Sequence, residues 1–200
     1  MDDLIKIILP LYFIIYFGIA FVLKTLIVAK RIGKNPLVLP NDDSAYGLIG
    51  FYFKLTLIAM FIYVFAYALF PILHKYFLVI PSIDYQIVKY VGFICLAFSL
   101  VWTIIAQSHM KDSWRIGIDN EIKTDLVKSG VFSFSRNPIF LGMILSLVGL
   151  FLVTPNALTL IFMILGYVLI QIQIRLEEEF LTKELGKEYI DYKEKVRQLI

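Results

Sequence analysis

The hydrophobic positions of this chain fall into long unbroken blocks separated by polar connections, not into the spaced stripes of a soluble amphipathic helix. The first block covers residues 4–29, the second 45–70 and the third 85–110. Crossing hydrocarbon takes about 20 apolar residues in a helix, so each block is long enough to span a bilayer. Two further blocks, residues 138–153 and 156–174, flank the turn signal Thr154-Pro155-Asn156. The fourth block is short, reaching roughly 23 Å at ~1.5 Å rise per residue. That length suits a helical hairpin that starts below the membrane surface or thins the bilayer locally. The pattern predicts an all-α polytopic membrane protein of about five transmembrane helices. It reads as one integral domain over residues 1–200: three N-terminal spans in 1–110, then a connection, a C-terminal hairpin and a tail in 111–200.

The first block is too long for a signal-peptide core and follows Asp2 and Asp3 instead of a basic segment, so it is expected to remain as a span. In the tail, Phe180, Leu181, Leu185, Ile190 and Val196 alternate with charge, and Gly186 interrupts them. Two short amphipathic helices lying against the membrane surface are expected there. Lysine and arginine then set the orientation. Lys30, Arg31 and Lys34 lie in the first connection, and Lys111, Arg115, Lys123, Lys128 and Arg136 in the third. Six more lie in the tail from Arg175, against only Lys6, Lys75 and Lys89 on the other side. The positive-inside rule therefore puts the N-terminus outside, with the third connection and the tail in the cytoplasm on one face.

Composition narrows the function classes. Sixty per cent of the residues are hydrophobic and 18% charged, against roughly half and one-quarter in a soluble domain. The net charge of +3 is spread over several loops, which excludes a nucleic-acid footprint. Cys95 is the only cysteine, so neither an intrachain disulfide nor a cysteine metal cluster is available. His74 and His109 lie far apart without a carboxylate or cysteine at ligand spacing, and no metal is expected. Lys54 sits within the second span; an intramembrane lysine is a functional candidate, but a snorkelling side chain on a tilted helix accounts for it.

Two polar constellations remain. The first runs Leu126-Val-Lys-Ser-Gly-Val-Phe-Ser-Phe-Ser-Arg-Asn-Pro-Ile-Phe-Leu-Gly142. Pro138 suits the first helical position and Asn137 an N-cap, so a capped helix with an interfacial Arg136 explains this stretch without a ligand. The second runs Arg175-Leu-Glu-Glu-Glu-Phe-Leu181. Successive side chains point ~100° apart on a helix, so at most one or two of the three glutamates face inward. Glu179 is expected in solvent; Glu177 or Glu178, if turned inward, needs a cationic or hydrogen-bonding partner.

Taken together, the constellations are far more specific. Gly-Val-Phe, then Arg-Asn-Pro-Ile-Phe-Leu-Gly, an apolar hairpin, Glu-Glu, Leu181, Gly186, Tyr189, Tyr192, Val196 and Arg197 resemble the integral-membrane methyltransferases of the isoprenylcysteine carboxyl methyltransferase and phospholipid methyltransferase superfamily. The resemblance covers residues 111–197. It implies S-adenosylmethionine (S-adenosyl-L-methionine) as cofactor, bound on the cytoplasmic side, with Thr124, Asp125, Leu126 and Val127 beside it. Phe132 takes the place of the family's Tyr, and Asn137, Pro138, Ile139 and Phe140 stand for its His-Pro-x-Tyr run. Glu177 becomes the carboxylate that reaches the cofactor, while Gln173 occupies the position of a family arginine that Arg175, two residues on, is a candidate to replace.

Methyl transfer from a sulfonium needs alignment and exclusion of water, not a metal. The acceptor implied is a lipid or lipidated molecule arriving from the bilayer. A carboxylate acceptor needs no base, only a cation such as Arg115, Arg136 or Arg175 to position it; an amine must lose a proton, for which Glu178 or water is the candidate. Two rivals remain open: a membrane sterol-type reductase using NADPH, and a non-enzymatic scaffold or carrier, although the internal repeats of a carrier are missing.

Overall fold

The computed structural model describes residues 2–37, 44–114 and 126–200, apart from the side chains of Asp2 and Asp112. Helix α1 (Asp2–Phe17) runs through a π-helical segment, Gly18–Leu23, into α2 (Lys24–Ile32) as one rod. Then follow α3 (Ala45–Leu69), α4 (Gln86–Met110), α5 (Pro138–Val153), α6 (Ala157–Leu185) and α7 (Lys187–Lys195). Among the described residues four helical stretches are long and apolar enough to cross a membrane, Asp3–Ile32, α3, α4 and α6, and α5 is the shorter apolar arm of the hairpin. The architecture is the all-α polytopic bundle expected from the hydrophobic blocks.

The tail differs from expectation. α6 continues unbroken to Leu185, so Phe180, Leu181 and Leu185 belong to the last span's own helix and not to a separate surface helix. Residues 175–185 contain only tolerant helix formers, and nothing stops the helix before Gly186. There the backbone turns left-handed, at φ 55°, and α7 begins. Lys54 is exposed on α3.

Lipid gives helices little hydrophobic reason to associate, so close packing and hydrogen bonds hold the bundle together. The tightest crossing joins α4 to α5. A Cβ on Gly92 would lie 2.8 Å from the backbone nitrogen of Val153 and 3.0 Å from the Gly149 carbonyl oxygen; one on Gly142 would lie 2.2 Å from Thr103 Oγ1. Backbone cannot move aside as a flexible side chain can. Gly92→Ala is therefore expected to destabilise the bundle by about 1–3 kcal/mol, read as a lowered midpoint of thermal unfolding in detergent; an unchanged midpoint would contradict this crossing.

A polar ladder joins the first rod to α4. Tyr12 OH donates to Ser99 Oγ at 3.4 Å, Tyr16 OH lies 3.0 Å from Thr103 Oγ1, Gln107 Nε2 donates to the Ala20 carbonyl at 2.7 Å, and Lys24 Nζ donates to the Lys111 carbonyl at 3.5 Å. Each rung has the same sequence offset, 87 residues, so the two helices run parallel in fixed register with one rung per turn. The third rung meets the π-helical segment, where an irregular backbone at membrane depth needs a side chain to satisfy it.

At the far end of the bundle the hairpin turn is pinned. Asn156 caps α6 by accepting from Thr159 N at 3.0 Å, and its Nδ2 donates to Tyr63 OH of α3 at 2.8 Å. Ile80 N donates to the Pro155 carbonyl and Ala157 N to that of Leu78. With one end fixed, α5 and α6 deliver Asn137 and Glu177 to the same level at the other.

Candidate functional site

The site lies where the C-terminal end of α4, the start of α5 and the end of α6 meet. Gly130 opens it: its φ of 64° is left-handed, and a Cβ there would sit 2.7 Å from the His109 ring. The following 3-10 turn, Gly130–Ser133, buries Phe132. Trp102 Nε1 of α4 donates to the Pro138 carbonyl at 2.8 Å and holds the first turn of α5 in place. Asn137 stands at the N-cap position but makes no capping bond. Its amide is used across the site, donating to Glu178 Oε1 and to the Gln198 carbonyl, each at 3.1 Å.

Arg136 and Glu178 form a buried, two-pronged pair. Nε donates to Oε1 at 3.0 Å and Nη2 to Oε2 at 3.2 Å, with side chains only 8% and 6% exposed. The remaining nitrogen, Nη1, donates to the carbonyls of Lys193 and Val196. Arg136 N also donates to the Arg197 carbonyl at 2.9 Å, so the last residues are strapped over the start of α5. Lys193 Nζ, half exposed, adds a second cation 3.4 Å from Glu178. The inward-turned glutamate has the partners that burial of a carboxylate demands, and Glu179 pairs with Lys183 in solvent as expected.

Glu177 points elsewhere. It lines a cavity and accepts a hydrogen bond from Gln173 Nε2 at 2.9 Å; that amide also donates to Tyr46 OH at 2.8 Å. Among the described residues Glu177 has no cationic partner. About 1240 Å³ of empty space lies in and in front of the cavity, part of it open to solvent. α4 and its end contribute Gln107, Met110 and Trp114, the first helices Phe21, Gly50 and Phe53, and α6 and α7 contribute Leu181, Leu185, Tyr189 and Tyr192. Tyr192 OH donates to the Phe132 carbonyl at 2.6 Å. Burial pushes both α7 tyrosines up, Tyr192 to about 12, so these hydroxyls keep their protons throughout the neutral range.

Of the residues singled out in the sequence, Leu126, Val127, Phe132, Arg136, Asn137, Pro138, Ile139, Phe140 and Glu177 line this one cavity. Glu178 stands behind it, bonded to Arg136 and Asn137. Arg175 is exposed and does not line the cavity; the position it was a candidate to replace is filled by Gln173 itself, which does. Thr124, Asp125 and Arg115 lie outside the described residues. Gln107 and the aromatic Phe21 and Phe53 were not legible as site residues, since each sits in an apolar block with no motif around it, and Trp114 lies in the polar connection outside the motif residues that carried the resemblance. Tyr189 and Tyr192 carried a signal, because both belong to the recognised tail pattern.

With this geometry in hand, comparison with known proteins is informative. A family model described as phospholipid methyltransferase matches residues 87–188, just over half of the chain. A protein-S-isoprenylcysteine O-methyltransferase of Saccharomyces cerevisiae is 42% identical over 72 residues, which cover 36% of this chain and 30% of that protein. The matched stretch is thus under a third of the relative's length. The family match begins one residue into α4 and ends in α7, enclosing the loop, the hairpin and both glutamates.

Proposed function

This chain belongs to the phospholipid methyltransferase family, and we propose that it transfers a methyl group from S-adenosylmethionine to a lipid or lipidated acceptor. The observation that carries the reading is Glu177, a carboxylate facing an aromatic-lined cavity without a cationic partner among the described residues. Such a group suits the amino or ribose hydroxyl donors of that cofactor, and Leu126, Val127, Phe132 and Trp114 offer apolar surface for its flat base. When bound, the cofactor would supply an electrophilic methyl on a sulfonium. The protein's part is to align the two reactants and exclude water.

Arg136 and Glu178 receive a holding role in this proposal. Every guanidinium nitrogen of Arg136 is engaged by Glu178 or by tail carbonyls, so positioning an anionic acceptor falls outside its reach. Together with Asn137 they fix the start of α5 against α6 and the tail. The same observation argues against the NADPH rival. Arg136 is the only lysine or arginine among the described residues that line the cavity, and its donors are spent; a phosphate-bearing dinucleotide wants free cations. Orientation follows the positive-inside rule: we place this end of the bundle in the cytoplasm and the N-terminus outside.

Binding to the purified protein discriminates the readings. S-adenosylhomocysteine is expected to bind and NADPH to leave the protein untouched; the reverse outcome would sink the proposal. Incubating membranes with a methyl-labelled donor and identifying the labelled lipid or peptide then names the acceptor.

A further inference from the structure

A second cavity lies deeper in the bundle, between α1, α3, α5 and α6, and shares Phe21, Phe53 and Met143 with the first. These three residues line both and mark the boundary, or throat, between them. From Phe53 to Met60 the second cavity follows two turns of α3, roughly 10 Å at ~1.5 Å per residue. Phe17, Phe21, Phe53, Leu57 and Met143 are half-buried, and the rest of its lining is buried.

Four hydroxyl-bearing residues touch the second cavity, and each is already hydrogen-bonded to protein. Tyr12 and Ser146 bond each other at 3.0 Å, Tyr16 bonds Thr103 at 3.0 Å, and Thr56 donates to the Tyr52 carbonyl at 2.8 Å. A water molecule needs two to four polar partners to stay in such a place. Beyond these engaged hydroxyls the lining is apolar, so it favours an apolar occupant continuous with whatever reacts beyond the throat.

We propose that the apolar chain of the acceptor threads past Phe53 and Met143 into this second cavity, and that its floor, Met60, Leu147 and Gly166, limits the chain length accepted. The inference rests on the methyltransferase reading for what sits above the throat. The floor is close-packed: a Cβ on Gly166 would lie 2.6 Å from Leu147 Cδ1. A chain that is too long has nowhere to extend, and each methylene beyond the limit is excluded from the site.

The test uses the full chain in vesicles, with two acceptor series, N-acetyl-S-alkyl cysteines and monoacyl phosphatidylethanolamines of graded chain length, and a labelled methyl donor. Thr56→Phe, which adds bulk inside the cavity, should lower kcat/KM for the longest accepted chain by roughly tenfold or more and spare the shortest. Leu147→Ala, which opens the floor, should move the limit to longer chains. S-adenosylhomocysteine affinity should stay unchanged in both, which also reports that the variants are folded. A fatty acid carrying a terminal diazirine should label peptides containing Met60 or Leu147. Methyl transfer with a chain-length profile that neither variant moves overturns the chain site and leaves the functional reading standing. Labelling at the floor with no transfer to any acceptor does the opposite.

Discussion

Glu178→Gln is expected to loosen the site end of the bundle by about 3–5 kcal/mol, the cost of removing one partner from a buried ion pair. The pair itself is a poor source of net stability, because two charges must leave water to form it. Its removal is expensive for a different reason: Arg136 stays behind, 8% exposed, without its counter-charge and with an amide NH2 in place of one of its two carboxylate acceptors. Lys193, on the solvent side, cannot compensate a lost anion. The strap made by Val196, Arg197 and Gln198 hangs on Arg136 and Asn137, so the tail should become protease-sensitive along with the loss of thermal stability. Replacing both partners by apolar residues, Arg136→Met with Glu178→Leu, should restore much of the midpoint. If Glu178→Gln unfolds at the same temperature as the unaltered protein, the pair is not the keystone described above.

Glu177→Gln is expected to do nearly the reverse. Among the described residues only Gln173 hydrogen-bonds this carboxylate, through one bond, so unfolding should change little. Cofactor binding should weaken by about 1.5–3 kcal/mol, the worth of a hydrogen bond to a charged group, or roughly tenfold to more than hundredfold in S-adenosylhomocysteine affinity. Methyl transfer at low donor concentration should fall in proportion. Unchanged affinity and turnover would remove Glu177 from the site. The two neighbours thus make a sharp comparison: one step along the helix, about 100° of rotation, separates a residue expected to hold the fold from one proposed to serve the ligand.

That separation is where reading the sequence reached its end. The first four blocks of apolar residues match the helices they form to within a few residues, because an isolated backbone in hydrocarbon has no other way to satisfy its own hydrogen bonds; α6 outruns the fifth block to Leu185. The loop and tail motifs were visible too, and the cavity gathers most of them. Less visible was the use each residue is put to. Asn137 has the identity and position of a cap, but its amide crosses to Glu178 and Gln198. Arg175 has the charge for a site residue and faces outward instead.

The sequence by itself determined the membrane architecture, the hairpin and the family, since hydrophobic length and motif spacing are properties of the chain alone. The tertiary structure decided which glutamate pairs with Arg136 and which faces the cavity, that every guanidinium nitrogen of Arg136 is engaged, and that Phe21, Phe53 and Met143 line both cavities. The physical reason is that these are relations between side chains far apart in sequence. They depend on the rotation and register of neighbouring helices, which the Gly92 crossing and the four-rung ladder between α1–α2 and α4 fix to within a fraction of a turn.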